Sequence, residues 1–78
     1  MQTKHIEIER MMFGDYRVQV WDENKDSMLD REYFCRGFAS AMMTAIETRT
    51  LPGFAMLDVY YRDEDSVELV NKANQSNG

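Results

Sequence analysis

The apolar residues change period once along the chain, and that change constrains the fold more than any other feature. From Lys4 to Met12, KHIEIERMM alternates polar and apolar residues through Ile6 and Ile8. A period of two belongs to a strand with one buried face. Phe13-Gly14-Asp15 carries turn chemistry. Tyr16 to Trp21, YRVQVW, alternates again, with Tyr16, Val18 and Val20 on one face. A β-hairpin is expected. From about Met28 to Arg49 the spacing becomes helical. Met28, Cys35, Phe38, Ala39, Met42, Ala45 and Ile46 form one stripe, with Phe34 and Ala41 at its margin. Arg36, Ser40, Thr44 and Glu47 lie opposite. Ser27 with Asp30, or Asp26, can cap the start. Gly37 costs about 1 kcal/mol against alanine inside a helix, so it is expected to let the helix approach the sheet closely.

Leu51-Pro52-Gly53 ends the helix. Phe54 to Arg62, FAMLDVYYR, then alternates as a third strand, with Ala55, Leu57, Val59 and Tyr61 on one face and Phe54, Met56, Asp58 and Tyr60 on the other. Asp63 to Ser66 turns the chain. Val67 to Lys72 reads as a fourth strand in preference to a short helix capped by Asp65 and Glu68. The polar tail from Ala73 to Gly78 has nothing to bury and is expected to be disordered. The expected fold is α+β: a two-layer ββαβ(β) arrangement in which one helix packs on a small antiparallel sheet, within a single compact domain over residues 1–72.

Composition narrows the function. Fourteen acidic residues against nine basic ones give a net charge of −5. That disfavours nucleic acid, where phosphate neutralisation supplies most of the affinity, and disfavours an anionic membrane surface; it suits a basic protein partner. The N-terminus MQTKHIEIER has no apolar signal-peptide core, no apolar run is long enough to span a bilayer, and the single cysteine permits no internal disulfide. A cytoplasmic protein is the expectation.

The stretch from Asp22 to Tyr33, DENKDSMLDREY, resembles an EF-hand loop. Asp22, Asn24, Asp26 and Asp30 fall at ligand positions. The position that needs a bidentate carboxylate is Tyr33, Glu32 comes one residue early, and Ser27 stands where glycine is favoured. The loop is therefore read as a solvated connection, with a degenerate calcium-loop module as an alternative. His5 is the only histidine, no His/Cys cluster could hold zinc, and no Gly-rich phosphate loop is present. Cys35, on the apolar stripe, reads as a buried, inert thiol. The expectation is a protein that is not an enzyme and takes no cofactor.

The residues that alternate away from the expected core include Glu7, Glu9 and Gln19, and six of interface-prone type: Met11, Arg17, Trp21, Met56, Tyr60 and Arg62. Trp, Tyr, Met and Arg are enriched at protein interfaces. These six are the candidate partner-binding face on the open side of the sheet. Asp22, Glu23, Asp26, Asp63, Glu64 and Asp65 are candidate acidic residues for steering a basic or nucleic-acid-binding partner. Two other readings stand beside this one: a structural homo-oligomer, and single-strand nucleic-acid binding through Trp21 and Tyr60, which the net charge disfavours.

The order of hairpin (around YRVQVW), acidic loop, helix (ending in IETRT) and then LPGFAMLDV is similar to that of small phage proteins that disable host machinery, including T7-type inhibitors of host RNA polymerase and anti-restriction or anti-CRISPR proteins. The similarity is one of layout across Ile6 to Arg62, and it carries over no functional residue. It implies a phage-encoded inhibitor that acts by stoichiometric binding to a host enzyme or defence complex.

Overall fold

The computed structural model describes residues 4–22, 28–63 and 66–71. Strand β1 (Lys4–Arg10) and strand β2 (Asp15–Asp22) form the expected antiparallel hairpin, joined by a 3-10 turn at Met12–Gly14. Phe13 sits at the tip with φ +62°, a left-handed conformation that side chains disfavour, and is 96% exposed. Strand β3 (Met28–Arg36) pairs antiparallel with β2, and helix α1 (Phe38–Thr48) follows. Strand β4 (Val59–Asp63) lies parallel to β1, and strand β5 (Ser66–Asn71) runs antiparallel to β4. The sheet order is β3-β2-β1-β4-β5. The fold is α+β: among the described residues, one helix packs on a five-stranded mixed sheet.

The helix expected from Met28 is two elements. Residues 28–36 are a strand because Tyr33 and Cys35, two apart, both reach the core side while β2 supplies a backbone ladder for them. Gly37 is not inside a helix either. It is the helix N-cap with φ +87°, and a Cβ there would meet nothing within 4 Å. Glycine is needed for the backbone turn, not for close packing. The helix turns Ala41, Ala45 and Thr48 inward, and Met42 partly so, while Ile46 and Ala39 of the expected stripe face solvent. Cys35 belongs to β3, half-buried, with Sγ 3.3 Å from the Thr44 hydroxyl. The Ser27 and Asp26 caps lie outside the described residues, and Asp30 is in β3.

The strand expected from Phe54 begins only at Val59. Pro52-Gly53 leads into successive turns, closed by bonds from the Phe54 amide to the Leu51 carbonyl and from the Leu57 amide to the Phe54 carbonyl. Phe54 and Leu57 are buried from these turns, and Ala55 is exposed. β1 and β4 pair in parallel because the chain crosses over the sheet through α1 before returning, as a parallel pair requires. With a third strand before the helix and turns after Pro-Gly-Phe, the layout behind the phage-inhibitor similarity is not the one the chain adopts. The last element is the strand preferred over a short helix, at Ser66–Asn71. Residues 73–78 lie outside the described residues.

The core lies between α1 and one sheet face. Ile6, Ile8, Val18, Val20 and Val59 are fully buried there, opposite Ala41 and Ala45. Phe38 pins the start of the helix, its ring edge-on to Tyr16 at 5.7 Å and to Tyr61 at 5.3 Å. Burial holds the Tyr61 hydroxyl above its ordinary pKa, with the nearby Asp63 charge adding to it.

Candidate binding groove on the open sheet face

The residues that alternate with the core side chains point away from the helix. Register places His5 beside Trp21, Glu7 beside Gln19 and Glu9 beside Arg17. On the other flank, Glu7 neighbours Tyr60 and Glu9 neighbours Arg62. β3 adds Glu32 beside Gln19, and β5 adds Val67 beside Arg62. Together they form a shallow groove of about 660 Å³, lined by His5, Glu7, Glu9, Arg17, Gln19, Trp21, Tyr60, Arg62 and Val67.

Among the described residues no helix lies over this face, yet its centre is largely withdrawn from water. Glu7 is 8% exposed and Gln19 5%. Such polar burial is tolerable only when the groups are hydrogen-bonded, and here they are. The Arg62 Nε donates to the Glu7 carboxylate at 3.1 Å. Arg17 bonds Glu9 through two nitrogens, Nε at 3.0 Å, and its Nε lies 3.5 Å from the Glu32 carboxylate. The Gln19 amide donates to Glu32 at 3.0 Å. The Arg17 guanidinium is held above its ordinary pKa, mainly by its hydrogen bond to Glu9. Arg17 and Arg62 thus neutralise two of the three carboxylates Glu7, Glu9 and Glu32, and one negative charge is left over.

The walls are aromatic. His5 meets Tyr60 edge-on at 5.5 Å. The Trp21 indole N–H is buried and has no acceptor among the described residues. Trp21 stands where the β2–β3 register slips by one, leaving Asp30 as the extra residue of a bulge. Bulges re-aim side chains beside functional sites.

Of the sequence candidates, Arg17, Trp21, Tyr60 and Arg62 converge on this groove. Met11 does not. It follows β1 and lines a separate concavity of about 200 Å³ with Asp15, Phe34, Cys35 and Arg36. Met56 lies in the turns before β4, not on the sheet. Among the acidic candidates, Asp22 is 4% exposed and Asp63 pairs with Arg10 at 3.5 Å. Glu23, Asp26, Glu64 and Asp65 lie outside the described residues. For calcium, Asn24 and Asp26 also lie outside them, Asp30 is ion-paired to Lys4 at 3.2 Å, and the segment after the loop is a strand where an EF-hand has a helix. Among the described residues no cluster of His, Cys, Asp and Glu could hold a metal ion. The sequence reading places neither His5, weighed there only as a lone histidine, nor Val67 on this face. The period-two alternation that places Glu7 and Glu9 outward places His5 with them, whereas Val67 needs the β4–β5 pairing.

Among the described residues no helix is long and apolar enough to cross a membrane. No protein-family model, curated protein or solved structure matches the chain.

Proposed function

We propose that the protein is a non-enzymatic binding module whose open sheet face takes a basic segment of a partner protein. The observation that carries this reading is the groove itself: aromatic walls and an acid-rich floor, built on strands that the helix holds from behind. A lysine or arginine of the partner would lie against Trp21 and Tyr60, whose ring faces attract cations. It would meet the surplus negative charge beside Glu7 and Glu9. The net charge of −5 steers a basic partner towards the molecule. The mode of action is stoichiometric occlusion of the partner's basic surface, as in phage-encoded inhibitors of host enzymes or defence complexes.

Trp21 is the single tryptophan, so its fluorescence reports on the groove. Short peptides containing lysine and arginine should change its emission saturably at low salt, and less at high salt, where charge attraction is screened. Glu9→Gln should weaken the response. An emission unchanged by basic peptides, or changed equally by acidic ones, would remove the basic-partner assignment.

A further inference from the structure

The sheet has two edges, and they differ in how well a further strand could pair with them. At β5 the register slips between Val59 and Tyr60, so that Val70 is left over and only Ser66 to Leu69 pair regularly. A bulge of this kind blunts an edge. At β3 the slip lies near the start, and Arg31 to Arg36 run in unbroken register against β2. No strand pairs with the outer side of β3 among the described residues. This is an edge ready to accept a strand.

The side chains of that edge say which strand. On the open face β3 presents Glu32, Phe34 and Arg36 in a row. Phe34 is 67% exposed, Arg36 is exposed, and Arg36 has no ion pair among the described residues. In an antiparallel pair centred on Phe34, opposite residues share a face. Phe34 then meets Phe34 of the other strand, Glu32 meets Arg36, and Arg36 meets Glu32. The acid-aromatic-base order is complementary to its own reverse. Centring one residue earlier, on Tyr33, still sets Arg36 against an acid, Asp30, but it loses the ring-on-ring contact, because Phe34 then faces Glu32.

We infer that β3 is the interface for a second copy of this chain, paired antiparallel about Phe34 in a twofold dimer. The pairing joins two five-stranded sheets edge to edge and closes on itself, as an isologous contact does. It places the two open faces on the same side, so both grooves look the same way. The apolar contribution is essentially one ring per copy, so the contact belongs to the small, weak class of interface. This inference uses the sheet edge and does not rest on the basic-partner reading, although Glu32 also belongs to the groove's ion pairs.

Sedimentation velocity over a concentration series tests it. The wild type should move from one chain to two as concentration rises to the millimolar range. Arg36→Glu sets two acids against each other twice and should abolish the shift, whereas Arg36→Lys should keep it. Phe34→Ser should weaken it by about tenfold or more, the scale of a lost aromatic pair. Glu32→Lys alone should stay a single chain, but mixing it with Arg36→Glu should restore a two-chain species, since both cross-strand contacts then pair opposite charges. Glu32 also contacts Arg17 and Gln19; if its variant does not fold, Arg36→Glu against the wild type decides the matter. Amide exchange along β3 should slow with concentration while that along β5 does not. A wild type that stays a single chain at millimolar concentration, an Arg36→Glu variant that pairs as well as the wild type, or slowing at β5 instead of β3 would each overturn the inference.

Discussion

The two faces of this sheet keep water out by opposite means. On the helix-covered face, Ile6, Ile8, Val18, Val20 and Val59 are fully buried among apolar neighbours. One residue along the same strands, Glu7 and Gln19 are nearly as buried, but they are held by Arg62 and Glu32. The first face loses stability in proportion to the volume removed from it. The second depends on completeness, because a buried charge is tolerated only while its partner is present. The first face therefore supports the molecule, and the second presents fixed, paired charges at its surface.

The largest effect should come from the apolar face. Ile8→Ala should cost about 2–5 kcal/mol, measured by urea denaturation, and in a domain this small that threatens folding altogether. A loss below that range would mean the helix collapses readily onto the gap. Next in size is the open face. Arg62→Ala leaves Glu7 without its counter-ion. An unsatisfied buried group costs about 1–3 kcal/mol, and the 41% exposure of the Arg62 side chain brings the expectation to roughly 1 kcal/mol after solvent screening. Adding Glu7→Gln should recover part of the loss. If the two losses simply add, the ion pair is not what allows Glu7 to be buried.

A third comparison uses pH. Tyr61 belongs to the helix-covered side, and its phenol is raised by burial, then by the Asp63 charge. The folded state therefore holds this proton more tightly than the unfolded chain does. The resulting stability is fully present below the unfolded value, about pH 10, and is lost as pH rises through the folded value. Thermal melts taken across this alkaline range should show the decline, and Tyr61→Phe should reduce its slope. An unchanged slope would place the alkaline sensitivity elsewhere. The smallest effect on stability should be Trp21→Phe. It keeps an aromatic wall and removes a buried donor that has no acceptor among the described residues, so unfolding should shift by less than about 0.5 kcal/mol, while partner binding weakens.

The hairpin was legible because Ile6, Ile8, Val18 and Val20 alternate within single strands, and local alternation is what a half-buried strand requires. The same alternation pointed Arg17, Trp21, Tyr60 and Arg62 to the open face. It misled where it was carried past a strand's end, and so Met11 and Met56 were placed on a face they do not share. The third strand was hidden by a coincidence of spacing. Cys35, Phe38, Met42 and Ala45 run at helical intervals straight through Gly37, and the positive φ that divides strand from helix there is not written in the spacing. The parallel pairing of β1 with β4 and the closing of the groove by Val67 depend on contacts between distant segments, which local period does not encode. The ion-pair lattice was half visible: Glu7, Glu9, Arg17, Gln19 and Arg62 were in view, but Glu32 fell within the expected helix, and the spacing does not say who holds whom.

The central claim is that the open face captures a protein partner. Its most direct test is parallel capture from a bacterial lysate with the wild type and with Trp21→Ala, each shown to be folded by circular dichroism and each washed at low and then high salt. The account predicts one stoichiometric partner on the wild type, bound less at high salt and absent from Trp21→Ala. The same partner retained equally by both proteins would contradict it, because binding would then lie elsewhere than the groove.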